Sequence, residues 1–386
     1  MDPVSLLGAL SLMIIVGVAS DWLFRRAMVP DTIPLILLGI LLGPGLGILP
    51  SQSLKPLAPV VGSLSLIVIL LDQGMKLSYV KLLKGAPRAI LLAFSTFLFS
   101  VLLIAPLAHV LLNLSPLLSL ALGAILGGTS SVIIAPLVEK LEILSRIKTL
   151  LLIDSVITDI LCIVSVLALC TLVAPSPAEV GRNLATTFLS AAALGTLVGI
   201  CWLPLSLRFQ GIPFSYSLLL AVSFCIYAVT ETLGASGGLA VLAFGLTLGN
   251  ASKLGRMLRL QVEMPDPEVR RFHGEVTFMV RTFFLVYLGS MFDRGFLPLL
   301  PGSFAIFLAC VVARMLSAKV TCFRDPQLGQ EEVFIGLMLP KGLAAAVLSY
   351  LPYQYGYAEA SSFPSIVLSI ILFTNLLSMV ATLRRR

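Results

Sequence analysis

Charged side chains are scarce in this chain: Asp, Glu, Lys and Arg make up 12% of its 386 residues, against 58% hydrophobic ones. With a mean hydropathy of +1.04, that scarcity excludes a soluble globular domain, in which about a quarter of residues are charged. Cysteines are few, at 162, 170, 201, 225, 310 and 322, all in or at the ends of apolar runs and none in a Cys-x-x-Cys spacing. They read as small membrane hydrophobes. Long polar stretches are missing as well; the longest polar connection, 251–270, is either an amphipathic interfacial helix or a solvated basic loop. The first residues, MDPVS, carry no basic n-region, so a cleavable signal peptide is not expected.

Apolar sequence is what the chain has in abundance. Runs that fit the roughly 20-residue length of a membrane span fall near 4–22, 31–49, 57–79, 88–112, 117–138, 147–173, 184–206, 214–232, 235–250, 271–292, 296–321, 332–352 and 363–383. The expected fold is an all-α integral membrane protein with about 13 transmembrane helices, a single transmembrane domain over 1–386. Net charge is +7, but its distribution excludes a nucleic-acid partner. The basic residues concentrate in alternate loops, around Arg25 and Arg26, Lys81 to Arg88, Lys140 to Lys148, Lys253 to Arg271, and at the C-terminal Arg384, Arg385 and Arg386. The intervening loops hold only Lys55, Arg182 and Arg294. By the positive-inside rule this places the N-terminus outside and the C-terminus in the cytoplasm of a multi-pass cell-membrane protein.

The stretch LLLIDSVITDILCIVSVLAL, 150–169, sets Asp154 and Asp159 inside an apolar span. A charge at mid-membrane costs roughly 2.5–3.5 kcal/mol, so intramembrane acids mark ion or proton pathways. At about 100° per residue, Ser155 and Asp159 share one helix face while Asp154 and Thr158 share another. The first pair suits a cation site that also accepts a proton; the second faces a separate polar partner.

Helix-breaking sequence interrupts the expected spans 5 and 12: Gly127-Gly128-Thr129-Ser130-Ser131 with Pro136 in one, Pro340-Lys341-Gly342 in the other. An offset of seven spans reverses direction, giving an inverted repeat of six helices at 4–173 and 214–383 joined by a linking helix at 184–206. In such transporters paired discontinuous helices meet near the midplane, where unwound backbone and half-helix ends face ions.

Other charges need partners. Asp72 either supplies a further carboxylate oxygen or pairs with Lys76 at i+4. Lys341, inside a span, needs a carboxylate, and Asp154 is the expected partner in a structural ion pair. Arg281 is expected to be a buried brace, and Arg314 to snorkel to the interface. His273 and Glu275 stand where span 10 begins, a solvated helix end or a pH-sensing pair.

In this order the motifs resemble the cation:proton antiporter family, in its sodium/proton exchanger branch. Asp154-Ser155-Val156-Ile157-Thr158-Asp159 is similar to the family's Glu-Ser-x-x-Asn-Asp segment, with Asp159 at the ion-binding, proton-carrying aspartate and Ser155 at the serine ligand. Thr129 matches the threonine of Ala-Thr-Asp-Pro-Val, which offers a backbone oxygen, while Ser130 and Ser131 depart from Asp-Pro. Leu71 to Met75 resembles Phe-Glu-Gly-Gly-Leu, with Asp72 at its acid, and 236–246 resembles Ser-Gly-x-Leu-Ala-Val. Lys341 falls at the arginine that pairs with the family's glutamate, here Asp154.

The resemblance implies a secondary antiporter for pH and cation homeostasis, not an enzyme, exchanging Na+, with Li+ or K+ as alternatives, for H+ without a cofactor. Cation and proton compete for Asp159, with Ser155, Thr129, Asp72 and Thr158 around it. Exchange is expected to be electroneutral; electrogenic exchange with Lys341 as second proton carrier is the alternative. The resemblance also implies a homodimer and an elevator-like movement. A remote alternative, an intramembrane aspartyl protease, needs facing carboxylates, whereas Asp154 and Asp159 lie about 140° apart on one helix.

Overall fold

The computed structural model describes residues 3–49, 54, 57–76, 87–170, 177–208, 215–257, 267–292 and 298–385. Of the loop charges above, Lys55, Lys81, Lys84, Arg259, Arg294 and Arg386 lie outside the described residues. Every regular element among the described residues is a helix. Along the chain these are α1 (Pro3–Ala27), α2 (Thr32–Ile40), α3 (Ala58–Lys76), α4 (Pro87–Leu112), α5 (Pro116–Ile125), α6 (Ser131–Lys140), α7 (Ser145–Cys170), α8 (Pro177–Arg208) and α9 (Ser215–Thr232). Then follow α10 (Gly237–Gly249), α11 (Ala251–Met257), α12 (Pro267–Ser290), α13 (Leu300–Cys322), α14 (Pro326–Gly329), α15 (Glu332–Leu337), α16 (Leu343–Gln354) and α17 (Phe363–Leu383).

Among the described residues, eight helices are long and apolar enough to cross a membrane, namely α1, α3, α4, α7, α8, α9, α13 and α17. Prolines in the first turn start α5, α13 and α17, where the missing N–H removes no helical bond. Asn113 takes φ +52 directly after α4, the left-handed conformation that Asn tolerates at a helix end. α2 runs on into a π-helical turn at Leu41–Gly45 around Pro44, since proline cannot donate the regular bond. α12 is helical over most of the run expected at 271–292 but is not one of the eight, because Glu268, Arg270, Arg271 and Glu275 crowd its first half and Arg281 interrupts its second.

Two compact units emerge. The first comprises Met1–Gly62, Gly85–Leu169 and Thr282–Arg386; its core packs Phe24, Ile134, Leu137, Leu151, Phe334 and Ile335. Two regions of this unit leave the helical path: α5 stops at Ile125 and α6 starts at Ser131, and α15 stops at Leu337 before α16 starts at Leu343. The second unit comprises Ser63–Lys84 and Cys170–Arg281. Its helices approach closely through glycine: a Cβ on Gly195 of α8 would run into the Ala240 carbonyl of α10, and one on Gly249 into the Met75 carbonyl.

Candidate functional site

The two helix interruptions of the first unit touch each other through backbone. Gly127 and Gly128 end α5, and a Cβ on Gly128 would meet Cys162 Sγ of α7 at 2.7 Å, so only glycine lets the strand of broken backbone lie on α7. The Ser130 N–H donates to the Pro340 carbonyl at 2.8 Å, and Lys341 N–H donates to Thr374 Oγ1 of α17 at 3.3 Å. Lys341 Nζ donates to the carbonyls of Leu126 and Gly128 at 2.5 and 2.6 Å. Its ammonium therefore sits at the C-terminal end of α5, where the helix dipole is negative and carbonyls lack helical partners.

α7 presents its two acids to different surroundings. Asp154, with no exposed surface, accepts from Arg314 Nη1 at 3.1 Å and Nη2 at 2.8 Å. Arg314, 1% exposed, also donates to Thr96 Oγ1 at 2.9 Å and to the Ile335 carbonyl at 3.3 Å. Thr129 Oγ1 donates to Asp154 Oδ2 at 3.3 Å, and its N–H donates to Thr158 Oγ1 at 3.1 Å. The carboxylate, the guanidinium and three threonines thus form one buried, mutually satisfied network.

Asp159, 6% exposed, is held differently. Its Oδ2 accepts from Ser131 Oγ at 2.7 Å and from Ser131 N–H at 3.4 Å. Ser131 is the first residue of α6, so the positive end of that helix faces the carboxylate. Among the described residues no basic side chain stands within ion-pairing distance of Asp159. One acid is neutralised by a fixed cation, whereas the other is held by hydrogen bonds from neutral donors.

This arrangement corrects two expectations. Lys341 is not the ion-pair partner of Asp154: the planar guanidinium of Arg314 takes that carboxylate through both oxygens, and Lys341 is spent on two carbonyls. Nor does Arg314 snorkel, since its side chain is buried and bonded to Asp154, Thr96 and the Ile335 carbonyl. The Ser155 hydroxyl, fully buried, donates to the Leu152 carbonyl at 3.0 Å. Asp72 lies in the second unit, where Lys76 Nζ reaches Oδ2 at 2.6 Å and His273 Nε2 lies 3.3 Å from Oδ1. His273 also meets the Tyr216 hydroxyl at 3.0 Å, so it is buried rather than a solvated helix end. Glu275 is exposed beside Arg271 at 3.6 Å, and Arg281 is half-buried. Arg314, Thr96 and Ser131 are the residues that motif reading alone did not place at the site.

Two buried carboxylates on an apolar helix, beside stretches where the chain leaves the helical path, point to an ion-translocating membrane protein. The chain belongs to the sodium/hydrogen exchanger family: the family model described as "Sodium/hydrogen exchanger, transmembrane" matches residues 10–383. It is 26% identical to Na(+)/H(+) antiporter 1 of Methanocaldococcus jannaschii over 90% of this chain and 83% of that protein. It is 24% identical to the K(+)/H(+) antiporter NhaP of Alkalimonas amylolytica over 94% of this chain, spanning 63% of that longer protein. Its fold is similar to the structure of the sodium proton antiporter MjNhaP1 from Methanocaldococcus jannaschii at pH 8, with a TM-score of 0.76 and 21% identity over 98% of this chain and 96% of that one. The protein is a multi-pass membrane cation/proton antiporter, a transporter and not an enzyme.

Proposed function

We propose that the protein exchanges Na+ for H+ at Asp159, the two ions competing for one carboxylate. The observation that carries this is the contrast on α7: Arg314 neutralises Asp154, whereas Asp159 has hydrogen-bond donors and no basic partner among the described residues. A bare carboxylate cannot cross an apolar barrier cheaply, so it moves loaded with a cation or a proton, and exchange is coupled. Ser155, Thr158 and the Thr129 backbone are proposed to complete the oxygen environment during the cycle, and Asp72 is proposed as a further cation-binding acid of the second unit, hydroxyl, carbonyl and carboxylate oxygens being suited to hard cations. K+ is the second reading, favoured by the K(+)/H(+) relative, and Li+ a third.

One proton per cation follows if the other buried charges stay fixed. Arg314 is locked to Asp154, and Lys341 Nζ is held by two backbone carbonyls. We further propose that α5–α6 and α15–α16 are the paired discontinuous helices of an inverted repeat, and Arg281 a brace. Also carried over from the family are a homodimer, an elevator-like alternating access, and an outside N-terminus with a cytoplasmic C-terminus. The test is Asp159→Asn in proteoliposomes under an imposed pH gradient with Na+, K+ or Li+. Loss of all coupled exchange in a folded, inserted protein is expected; retained exchange removes Asp159 from its role.

A further inference from the structure

We propose that Ser131 sets the balance between proton and cation at Asp159, by holding the empty, charged carboxylate through its hydroxyl and its backbone N–H. The inference rests on Asp159 being the exchanging carboxylate. Two observations carry it. The Ser131 hydroxyl lies 2.7 Å from Asp159 Oδ2 and its N–H 3.4 Å from the same oxygen. The other nearby hydroxyls donate elsewhere: Ser155 to the Leu152 carbonyl, and Thr129 and Thr158 within the Asp154 network.

The chemistry follows from which form those donors favour. Hydrogen bonds donated to a carboxylate stabilise its charged form against the protonated one. A proton arriving at Oδ2 turns the Ser131 hydroxyl from donor to acceptor and leaves the Ser131 N–H facing a neutral carboxyl, whereas an arriving cation leaves the carboxylate charged, so the N–H keeps an anionic acceptor while the hydroxyl turns its lone pairs to the ion. Ser131 thereby handicaps the proton relative to the cation. It is a positioning residue that tunes competition, and a purely structural role at the start of α6 would leave the pH profile unmoved.

The experiment compares wild type with Ser131→Ala, Ser131→Thr and Ser131→Pro in proteoliposomes, measuring Na+-driven exchange across pH and the apparent KM for Na+ at each pH. Proline is favoured at the first position of a helix, so Ser131→Pro preserves the start of α6 while removing both donors. Expected for Ser131→Ala is a half-maximal pH about one unit higher and an apparent KM for Na+ about tenfold larger near neutrality. Ser131→Pro is expected to move both further in the same direction, and Ser131→Thr to restore the wild-type profile. Profiles of Ser131→Ala and Ser131→Pro that superimpose on wild type overturn the proposal. Asp159→Asn in the same vesicles separates the two readings: exchange retained there sinks the Asp159 assignment itself, whereas exchange lost there with unmoved Ser131 profiles sinks only the role of Ser131.

Discussion

Removing the guanidinium of Arg314 should cost this protein more stability than removing the ammonium of Lys341 costs the Asp154 side of the site. Arg314 makes both hydrogen bonds to Asp154, at 3.1 and 2.8 Å, with 1% exposure on the arginine and none on the aspartate. Breaking a buried pair by deleting one partner leaves an uncompensated charge, at about 3–5 kcal/mol. On the usual size scaling that is a fall of about 4–6 °C in the unfolding midpoint for a chain of this length. The free, buried thiols of Cys162, Cys170, Cys310 and Cys322 allow the midpoint to be followed in detergent with a thiol-reactive dye. Arg314→Gln and Asp154→Asn should each lower it, and the double variant should lower it by much less than their sum, a coupling of about 2–3 kcal/mol. The parallel cycle with Lys341→Gln and Asp154→Asn should give a coupling below about 0.5 kcal/mol. A stronger coupling of Asp154 to Lys341 than to Arg314 would refute the assignment of the pair.

Three further outcomes are expected. Asp72→Asn should leave coupled exchange intact while changing apparent cation affinity by less than about tenfold, because Lys76 and His273 hold that carboxylate; complete loss of exchange would make Asp72 an essential ligand. Imposed membrane potentials of either sign should leave the rate and end-point of exchange unchanged, and voltage dependence that Lys341→Gln abolishes would identify the lysine as a second proton carrier. Partial burial raises the Asp325 carboxyl, but the Leu328 N–H and Arg146 outweigh it and hold the group below the usual carboxylate range. Its stabilising contribution is therefore present at neutral pH and lost as pH falls through that lowered value, so Asp325→Asn should lower the unfolding midpoint at pH 7 and converge on wild type in acid; a constant difference down to about pH 3 would contradict this.

Much of the site was legible because membranes penalise particular residues. Asp154 and Asp159 stand out in 150–169 since few carboxylates survive in such a stretch, and glycine and proline at 127–128 and 340 mark where helices stop, whereas Pro136 lies inside α6. Partners were harder to read. Lys341 draws the assignment to Asp154 because it occupies a helix break, while the sequence suggests only an interfacial role for Arg314. The burial of Arg314 and its bond to Asp154 argue the other way. Lys341 is satisfied by backbone carbonyls, acceptors that every residue carries and no sequence marks out. Ser131 was visible as a departure from a motif, yet its bond to Asp159 depends on the direction α6 takes after the break, which is set by the contact of Ser130 with Pro340. The two units are equally a matter of packing, since chain segments far apart in sequence make up each one.

Competition at one carboxylate is tested most directly by the apparent KM for Na+ as a function of pH, measured on purified protein in proteoliposomes at fixed pH gradient. If proton and cation share Asp159, lowering the pH below the range where the carboxylate is free should raise the apparent KM by about tenfold per unit, while saturating Na+ restores the maximal rate. An apparent KM that stays constant across that range, with the maximal rate falling instead, would show that the proton binds at a different group from the cation and would contradict exchange at Asp159.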